Sequence, residues 1–369
     1  MNRHGRRIGG VAQLGERTVR IRKVESSILF VSTIILKVRK PLNIQRLLCY
    51  NFIYNYRVVF IISLENKDVL KEKWTQEALH CLELLQNTFE DIANTVHHND
   101  SIEMYTVGND VVAAYLAQCL DYLEAIKILY SYKKIDAALI ITRSLFEIAL
   151  QLGYLIKDDN LIEDKGMFIR ITKIHKEIYL MEEMEKKHGP NIEKPCLSEE
   201  LRQEYSDYIA KETTPQAFLE AHHYLKRKTL KFKASNWRST TWYELYSQKQ
   251  GKTLSSYRSL CKELEWYDLK DSLLYDGFYN DMSQQAHGIK ASDMSFFDGK
   301  KQVFKDPDDI ASGGWQLMYC ITIIVNIINM LDKSILSKEI DLAVKVVDPL
   351  EEIKKHYFKS NEILIEYLK

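Results

Sequence analysis

The sequence predicts an all-α protein, a single helical bundle with one apolar helix (about 134–156) at its centre. The chain of 369 residues is 46% hydrophobic but has only 14 glycines and 6 prolines, which disfavours a turn-rich β architecture. From Leu64 onward, apolar residues recur mostly at steps of three and four, the period of an amphipathic helix. We therefore expect a bundle domain over residues 64–348 and a charged C-terminal helix over residues 349–369.

Four long helices are predicted in the first half of the bundle. The first, about 69–96, ends near a His-His-Asn-Asp run, and the second covers about 104–132. The third, 134–156, is apolar nearly all round, which is typical of a helix at the centre of a bundle. The fourth, about 161–188, ends at a Gly-Pro stop.

The second half is predicted to begin with shorter elements. Residues 189–245 contain three prolines and are expected to hold two or three short helices. Longer helices are then predicted near 254–264, 269–290 and 311–336. The apolar run 317–331 is too short and too polar for a membrane span, so we interpret it as a core helix and expect no membrane association.

Residues 1–63 differ from the rest of the chain in charge. They carry twelve Lys or Arg against two acids, whereas the remainder carries 39 bases against 49 acids. The stretches "VAQLGER" and "ESSILFVSTI" back-translate to sequences that resemble the D-arm and the T-loop of a bacterial transfer RNA gene. We expect this segment to be a translated transfer RNA gene with its spacer, and therefore disordered. The alternative is a basic arm beside a membrane.

The spacing of the cysteines and histidines indicates whether the chain could hold a metal or a cofactor. The six cysteines are scattered with no Cys-x-x-Cys pair, which indicates reduced thiols in a cytoplasmic protein. The pairs His97-His98 and His222-His223 lack carboxylate or cysteine partners at metal-ligand spacing, and there is no Gly-rich phosphate loop. We predict no metal and no cofactor.

A candidate catalytic site combines two groups of polar residues. Arg143 and Glu147 lie one helical turn apart on the most apolar helix, where charged side chains need partners. Tyr279, Ser283 and His287 follow one another at four-residue steps, on one face of another predicted helix. In the functional interpretation His287 is the acid or base, Glu147 orients it and Arg143 holds an anion. The alternative is a buried network that fixes the packing of the helices.

Three segments in order carry a family resemblance: "ITRSLFEIALQLGYL", "NWRSTTWYELYSQKQGK" and "YNDMSQQAHG". Their order and spacing resemble a bacterial all-helical family catalogued as domain of unknown function 5677. The resemblance covers about 64–336 and implies a helical fold. It also implies that the motif positions are Arg143, Glu147, Tyr279, Ser283 and His287, without implying a reaction.

A second pattern involves one arginine and one histidine. "RITKIH", from Arg170 to His175, resembles the Arg-x4-6-His motif of the HEPN ribonucleases, a helical group common in bacterial toxin and defence systems. Ile171 departs from that pattern, since a polar residue usually follows the arginine there. The resemblance implies a link to stress or defence functions.

A basic segment from His222 to Tyr243 is the candidate nucleic-acid interface. It holds six Lys or Arg and no acid, with aromatic residues interleaved. Cations contact phosphates and aromatic rings stack on bases. The residues predicted to bind nucleic acid are Lys226, Arg227, Lys228, Lys231 and Trp237. The alternative is a solvated basic loop whose aromatic residues anchor it to the core.

The patterns leave two classes of function open. The first is a stress- or defence-associated protein that binds nucleic acid, RNA or single-stranded DNA, or a nucleotide through the basic segment and the polar cluster. The second is a non-catalytic protein-interaction module whose buried cluster is structural. The sequence does not decide whether the protein is an enzyme.

Overall fold

The structure of the chain is a computed structural model, in which ten helices and one short hairpin are described. The residues described are 67–97, 107–188, 197–211, 216–229, 240–265, 279, 283, 295–297, 302–304, 310, 313–333 and 342–368. The predicted all-α class is confirmed, since apart from the hairpin the regular elements of this part of the chain are helical. Residues 1–63 lie outside the described part, so their predicted origin stays a prediction.

The helices follow the predicted order closely in the first half of the chain. Their bounds are α1 (Lys67–His97), α2 (Val107–Ser131), α3 (Ile135–Ile156), α4 (Ile162–His188), α5 (Leu197–Ala210), α6 (Gln216–Thr229), α7 (Trp242–Lys249), α8 (Tyr257–Glu263), α9 (Gly313–Lys333) and α10 (Leu342–Leu368). A 3-10 turn, Asp159–Leu161, joins α3 to α4. Of the predicted helix over 269–290, only Tyr279 and Ser283 are described, and both have helical backbone.

A two-stranded hairpin was not predicted. Strands β1 (Ser295–Phe297) and β2 (Gln302–Phe304) pair antiparallel, with Phe296 opposite Val303. The sequence signal was present, because an Asp-Gly pair between short runs rich in Phe and Val favours a hairpin.

The C-terminal helix begins earlier than predicted. A charged helix was expected over residues 349–369, but α10 begins at Leu342 and runs through Pro349. The helix packs along α1 and buries Ile353, Tyr357 and Leu364. This burial holds the helix together although Pro349 has no N–H to donate to the preceding turn.

The described residues divide into two compact units. Unit 1 contains α1, residues 116–131 of α2, residues 135–149 of α3, the hairpin, α9 and α10. Unit 2 contains residues 107–115 of α2, residues 150–156 of α3, and α4 to α8. The domain bounds expected from the sequence, 64–348 and 349–369, stay a prediction.

Unit 1 is built around large aromatic side chains and close backbone contacts. Trp74 of α1 stacks on Tyr130 of α2 with 5.7 Å between ring centroids. The Tyr130 hydroxyl donates to the carbonyl of Gly313 at 3.2 Å, at the start of α9. A Cβ on Gly313 would lie 2.2 Å from the Trp74 ring, so only glycine lets α9 approach this closely.

Unit 2 uses a glycine contact in the same way. A Cβ on Gly166 of α4 would lie 2.6 Å from the Cα of Gly108 on α2, so the two helices meet backbone to backbone. Glu163 accepts a hydrogen bond of 2.7 Å from the Gly108 N–H, which satisfies a donor in the first turn of α2. Lys165 is 1% exposed and donates to the carbonyl of Tyr154 at 2.7 Å, near the end of α3.

Two helices are long and apolar enough to suit a membrane span by length and composition. They are Ile135–Ile156 and Gly313–Asp332, with 61% and 78% of the respective windows buried inside the protein. Core helices of soluble proteins pass the same test, so these helices are weak evidence for a membrane.

Candidate functional site

The first candidate site lies on α3, in unit 1. The Nε–H of Arg143 donates to Oε1 of Glu147 at 2.9 Å, across one turn of the helix. The side chains are 18% and 21% exposed, so the pair is largely desolvated but reachable by solvent. Since most of α3 is apolar, pairing compensates part of the cost of placing both charges there.

Tyr279 completes this group. Nη2 of Arg143 donates to the Tyr279 hydroxyl at 3.1 Å, and that hydroxyl donates to Oε1 of Glu147 at 3.2 Å. The guanidinium carbon lies 5.0 Å from the centroid of the Tyr279 ring, a cation–π distance. The structure therefore brings three of the five predicted residues together in a closed set of hydrogen bonds, which we call the Arg143 cluster.

The protonation states of the Arg143 cluster follow from its geometry. Burial acts to lower the pKa of Arg143, but the hydrogen bond and the charge of Glu147, together with Tyr279, outweigh it and raise the pKa. Burial, followed by the negative charge of Glu147, raises the pKa of Tyr279. At neutral pH Arg143 is a cation and Tyr279 is neutral, with its one proton donated to Glu147. The N–H groups of Arg143 are therefore the donors that suit recognition of an anion or a carbonyl oxygen.

The other two predicted residues are less completely described. Ser283 has helical backbone and is half-buried. His287 lies outside the described residues, so its role as acid or base beside Arg143 and Glu147 stays a prediction.

The predicted nucleic-acid interface is described in part. Lys226 is exposed on α6. Arg227 and Lys228 lie on the same helix, but their side chains are outside the description, as are Lys231 and Trp237. Further along the segment, Trp242 is 7% exposed and donates to Oε1 of Gln151 at 2.8 Å. At that aromatic position the anchoring interpretation holds, because the indole belongs to the core of unit 2.

A second polar group in unit 2 was not predicted. Nε2 of His175 on α4 lies 3.2 Å from the Tyr205 hydroxyl on α5, and that hydroxyl lies 2.9 Å from Nδ1 of His222 on α6. The rings also pack on one another, with 5.4 Å between the centroids of Tyr205 and each imidazole. We call these three residues the His-Tyr-His cluster. Because the three residues come from three helices, the spacing within a single sequence motif could not indicate the cluster.

Both imidazoles of the His-Tyr-His cluster favour the neutral form. Burial, with smaller contributions from His222 and Lys226, lowers the pKa of His175 to about 4. Burial, followed by the charges of His223 and Lys226, lowers the pKa of His222. Burial raises the pKa of the Tyr205 hydroxyl. At neutral pH the cluster is therefore two neutral imidazoles joined by a neutral phenol.

The two residues of the HEPN-like pattern have different surroundings. Arg170 is half exposed and pairs with Asp110 at 2.8 Å, whereas His175 belongs to the His-Tyr-His cluster. Residues five apart on an α-helix project about 140° from each other. Within the described part of the chain, Arg170 and His175 share no hydrogen-bond partner.

The family model described as "Family of unknown function (DUF5677)" matches residues 109–302, more than half of the chain. The chain belongs to this family. The DUF5677 match confirms the resemblance seen in the sequence, although it is shorter at both ends than the expected 64–336. It contains the Arg143 cluster, the His-Tyr-His cluster and the basic segment. No curated protein and no solved structure matches the chain significantly.

Proposed function

We propose that this DUF5677 protein binds nucleic acid, as RNA or single-stranded DNA, or a nucleotide through the basic segment that begins on α6. The observation that carries the proposal is the charge of the C-terminal half of that helix. His223 and Lys226 are exposed there, and the chain contains no acid from residue 221 to residue 243. An exposed cationic stretch of this kind attracts phosphates and releases their counterions.

The position of these cations on the helix also has a purely structural effect. Basic residues in the last turn of a helix interact favourably with its macrodipole, typically by 0.3 to about 1 kcal/mol each. That effect requires one or two cations, whereas six Lys or Arg lie between His222 and Tyr243. The excess of basic residues supports a phosphate-bearing partner.

The Arg143 cluster offers a second place where the phosphate of a nucleic acid or nucleotide could be bound. A guanidinium has five N–H donors, and the bonds to Glu147 and Tyr279 use two of them among the described residues. The remaining donors suit an oxyanion such as phosphate. His287 as an acid or base at this cluster belongs to the same proposal.

A non-catalytic interaction module is the second candidate function. The closed set of bonds among Arg143, Glu147 and Tyr279 favours it, because each polar group already has a partner within the protein. In this second candidate function, the Arg143 cluster fixes the position of Tyr279 against α3, and the ligand is another protein.

The cytoplasmic setting is proposed from the cysteines. Cys81, Cys119, Cys261 and Cys320 are buried free thiols, which supports a reducing compartment. A role in stress or defence rests on the sequence resemblance alone.

Equilibrium binding of the full chain to a fluorescein-labelled RNA and to single-stranded DNA tests the proposal. Replacing Lys226, Arg227, Lys228 and Lys231 by Ala should weaken binding to both polymers by at least about tenfold at low salt, because four phosphate contacts are lost. The matched control replaces four exposed lysines elsewhere, which are Lys134, Lys173, Lys262 and Lys355. The control has the same net charge and should bind much more tightly than the first variant.

Equal weakening in the two variants would show that only net charge matters, and would contradict a defined interface on α6. Absence of binding by the unmodified protein at low salt would leave the interaction module as the better function.

A further inference from the structure

The His-Tyr-His cluster has a hydrogen-bond arrangement that restricts how its protons are placed. The Tyr205 hydroxyl has one proton and lies within hydrogen-bond distance of Nε2 of His175 and Nδ1 of His222. It can donate to only one imidazole, so the other imidazole must donate to the phenol oxygen. The two neutral arrangements therefore differ in which nitrogen of His222 carries its proton.

These arrangements give His222 opposite chemical roles. When Nδ1–H of His222 donates to Tyr205, Nε2 carries a lone pair and His222 is a base. When Tyr205 donates to Nδ1, Nε2 carries the proton and His222 is a hydrogen-bond donor. Passing from the first arrangement to the second adds a proton at Nε2 of His222 and removes one at Nδ1 of His175, so the net charge of the cluster is the same in both.

Nε2 of His222 is the atom through which the cluster can meet a ligand. His222 is half-buried, and within the described part of the chain Nε2 has no hydrogen-bond partner. His175 differs from His222, because its Nε2 is hydrogen-bonded to Tyr205 and burial disfavours its charged form. His222 is thus the proton-exchanging member, while Tyr205 and His175 are positioning residues.

The surroundings of His222 favour an anion. Lys226 is exposed one helical turn further along α6, and His223 is exposed beside His222 with 5.4 Å between the ring centroids. Among the described residues, the titratable or charged groups in contact with His222 or acting on it are His175 from α4, Tyr205 from α5, and His223 and Lys226 from α6 itself.

We propose that the His-Tyr-His cluster is a proton-exchange site for a terminal phosphate, the phosphate monoester at the end of a nucleic acid strand or on a mononucleotide. The inference rests on the proposed function, because it assigns the ligand chemistry of the same basic surface. Lys226 attracts the phosphate, and Nε2 of His222 shares a proton with one phosphate oxygen.

The proton balance selects a monoester over a diester. A monoester loses its second proton at a pKa of about 6, close to that of an imidazole, whereas an internal diester has no proton to share in this range. On binding, the O–H bond of the phosphate monoanion breaks, its P–O bond stays intact, and an N–H bond forms at Nε2 of His222. The product pair is a phosphate dianion beside an imidazolium, with no change in total charge.

The test is a competition experiment on the full chain. Three unlabelled single-stranded RNAs of one sequence, about twelve nucleotides long, displace a labelled RNA: one with a 5′-phosphate, one with a 3′-phosphate and one with neither. AMP and inorganic phosphate are further competitors that separate a strand end from a nucleotide and from a free phosphate. At about pH 6, where the second phosphate proton is half dissociated, a phosphorylated competitor should bind about tenfold more tightly, the gain expected of a charge-assisted hydrogen bond.

The added negative charge of a phosphorylated end would also favour binding. The variants and the pH profile distinguish this charge effect from proton exchange at His222. His222→Asn keeps a polar group at the position of Nδ1 but removes Nε2, and should reduce the preference to about threefold or less, the range of a surface charge contact. Tyr205→Phe keeps the ring and removes the bridging hydroxyl, and should reduce the preference similarly. Tyr208→Phe on the same helix is the matched control and should keep it, since Tyr208 packs edge-on against Phe218 outside the cluster.

For the unmodified protein, the preference should also decrease as the pH rises to about 8, because neither the phosphate nor His222 then holds the shared proton. A preference that is equal in the unmodified protein, Tyr205→Phe and His222→Asn, or that persists above this pH, would overturn the proton-exchange site. Binding of all three RNAs with equal affinity would do the same while leaving the proposed function intact. Failure of the proposed function has a different signature, the absence of any RNA binding.

Discussion

Arg143 and Glu147 form an ion pair of 2.9 Å across one turn of the most apolar helix in the chain, with about one fifth of each side chain exposed. Neither partner could be removed without leaving the other poorly solvated. This pair therefore links the stability of unit 1 to the candidate site, because Tyr279 is bonded to both partners.

Glu147→Gln should lower the free energy of unfolding by about 1.5 to 3 kcal/mol, the range for hydrogen bonds to charged groups. The substitution keeps the shape of the side chain but leaves the Arg143 cation without its counter-charge. Urea denaturation at neutral pH measures the change. Glu177→Gln is the matched control, since Lys173 and Glu177 form an exposed i,i+4 pair, and its effect should be below about 0.5 kcal/mol. Equal effects of the two substitutions would contradict a desolvated pair on α3.

The His-Tyr-His cluster predicts a loss of stability in mild acid. His175 has a pKa of about 4 in the folded protein, against about 6.5 for an unperturbed histidine, so the unfolded chain binds more protons between these values. The contribution of His175 is therefore fully present above about pH 6.5 and is lost as the pH falls through this window. Between about pH 7 and pH 5, the loss should be about 2 kcal/mol.

Urea denaturation at the two pH values measures this loss, and His175→Gln removes the titrating group. In that variant the difference between the two pH values should shrink by most of this amount. A pH dependence that is identical in His175→Gln and the unmodified protein would rule out a buried neutral His175.

Gly166→Ala should destabilise unit 2 by several kcal/mol, because the new Cβ would lie 2.6 Å from the Cα of Gly108, and a backbone atom cannot move aside. Gly251→Ala provides a contrast, since the Cβ there meets nothing within 4 Å and only the φ of +74° is strained. Its cost should be about 1 kcal/mol. Thermal unfolding of the two variants, followed by circular dichroism, measures the difference, and a smaller effect for Gly166→Ala would contradict the close crossing of α2 and α4.

The sequence predicts the first helices well because their signals are local. Residues 134–156 are apolar on nearly every face, and α3 occupies 135–156 as expected. The pair Arg143 and Glu147 was also visible, since an i,i+4 spacing fixes their proximity on any helix. The contact of Tyr279 with this pair was expected because a largely buried ion pair needs further polar partners. The individual hydrogen bonds of Tyr279 could not be predicted.

The His-Tyr-His cluster could not be predicted from spacing. His175, Tyr205 and His222 are 30 and 17 residues apart, and each is unremarkable on its own helix. Their meeting depends on how α4, α5 and α6 pack, which periodicity does not specify. Gly108 and Gly166 show the same limit. A glycine inside a helix either destabilises that helix or allows another helix to pack closely against it, and only the packing distinguishes the two.

The salt dependence of RNA binding tests the central claim most directly. The slope of log K against log salt concentration measures the number of phosphate contacts, with about 0.7 per contact for a single strand. For the unmodified full chain we predict a clear negative slope, and for the variant with Ala at Lys226, Arg227, Lys228 and Lys231 a slope shallower by about 2 to 3. A slope that is the same in both proteins, or no salt-sensitive binding at low ionic strength, would contradict nucleic-acid binding through the basic segment that begins on α6.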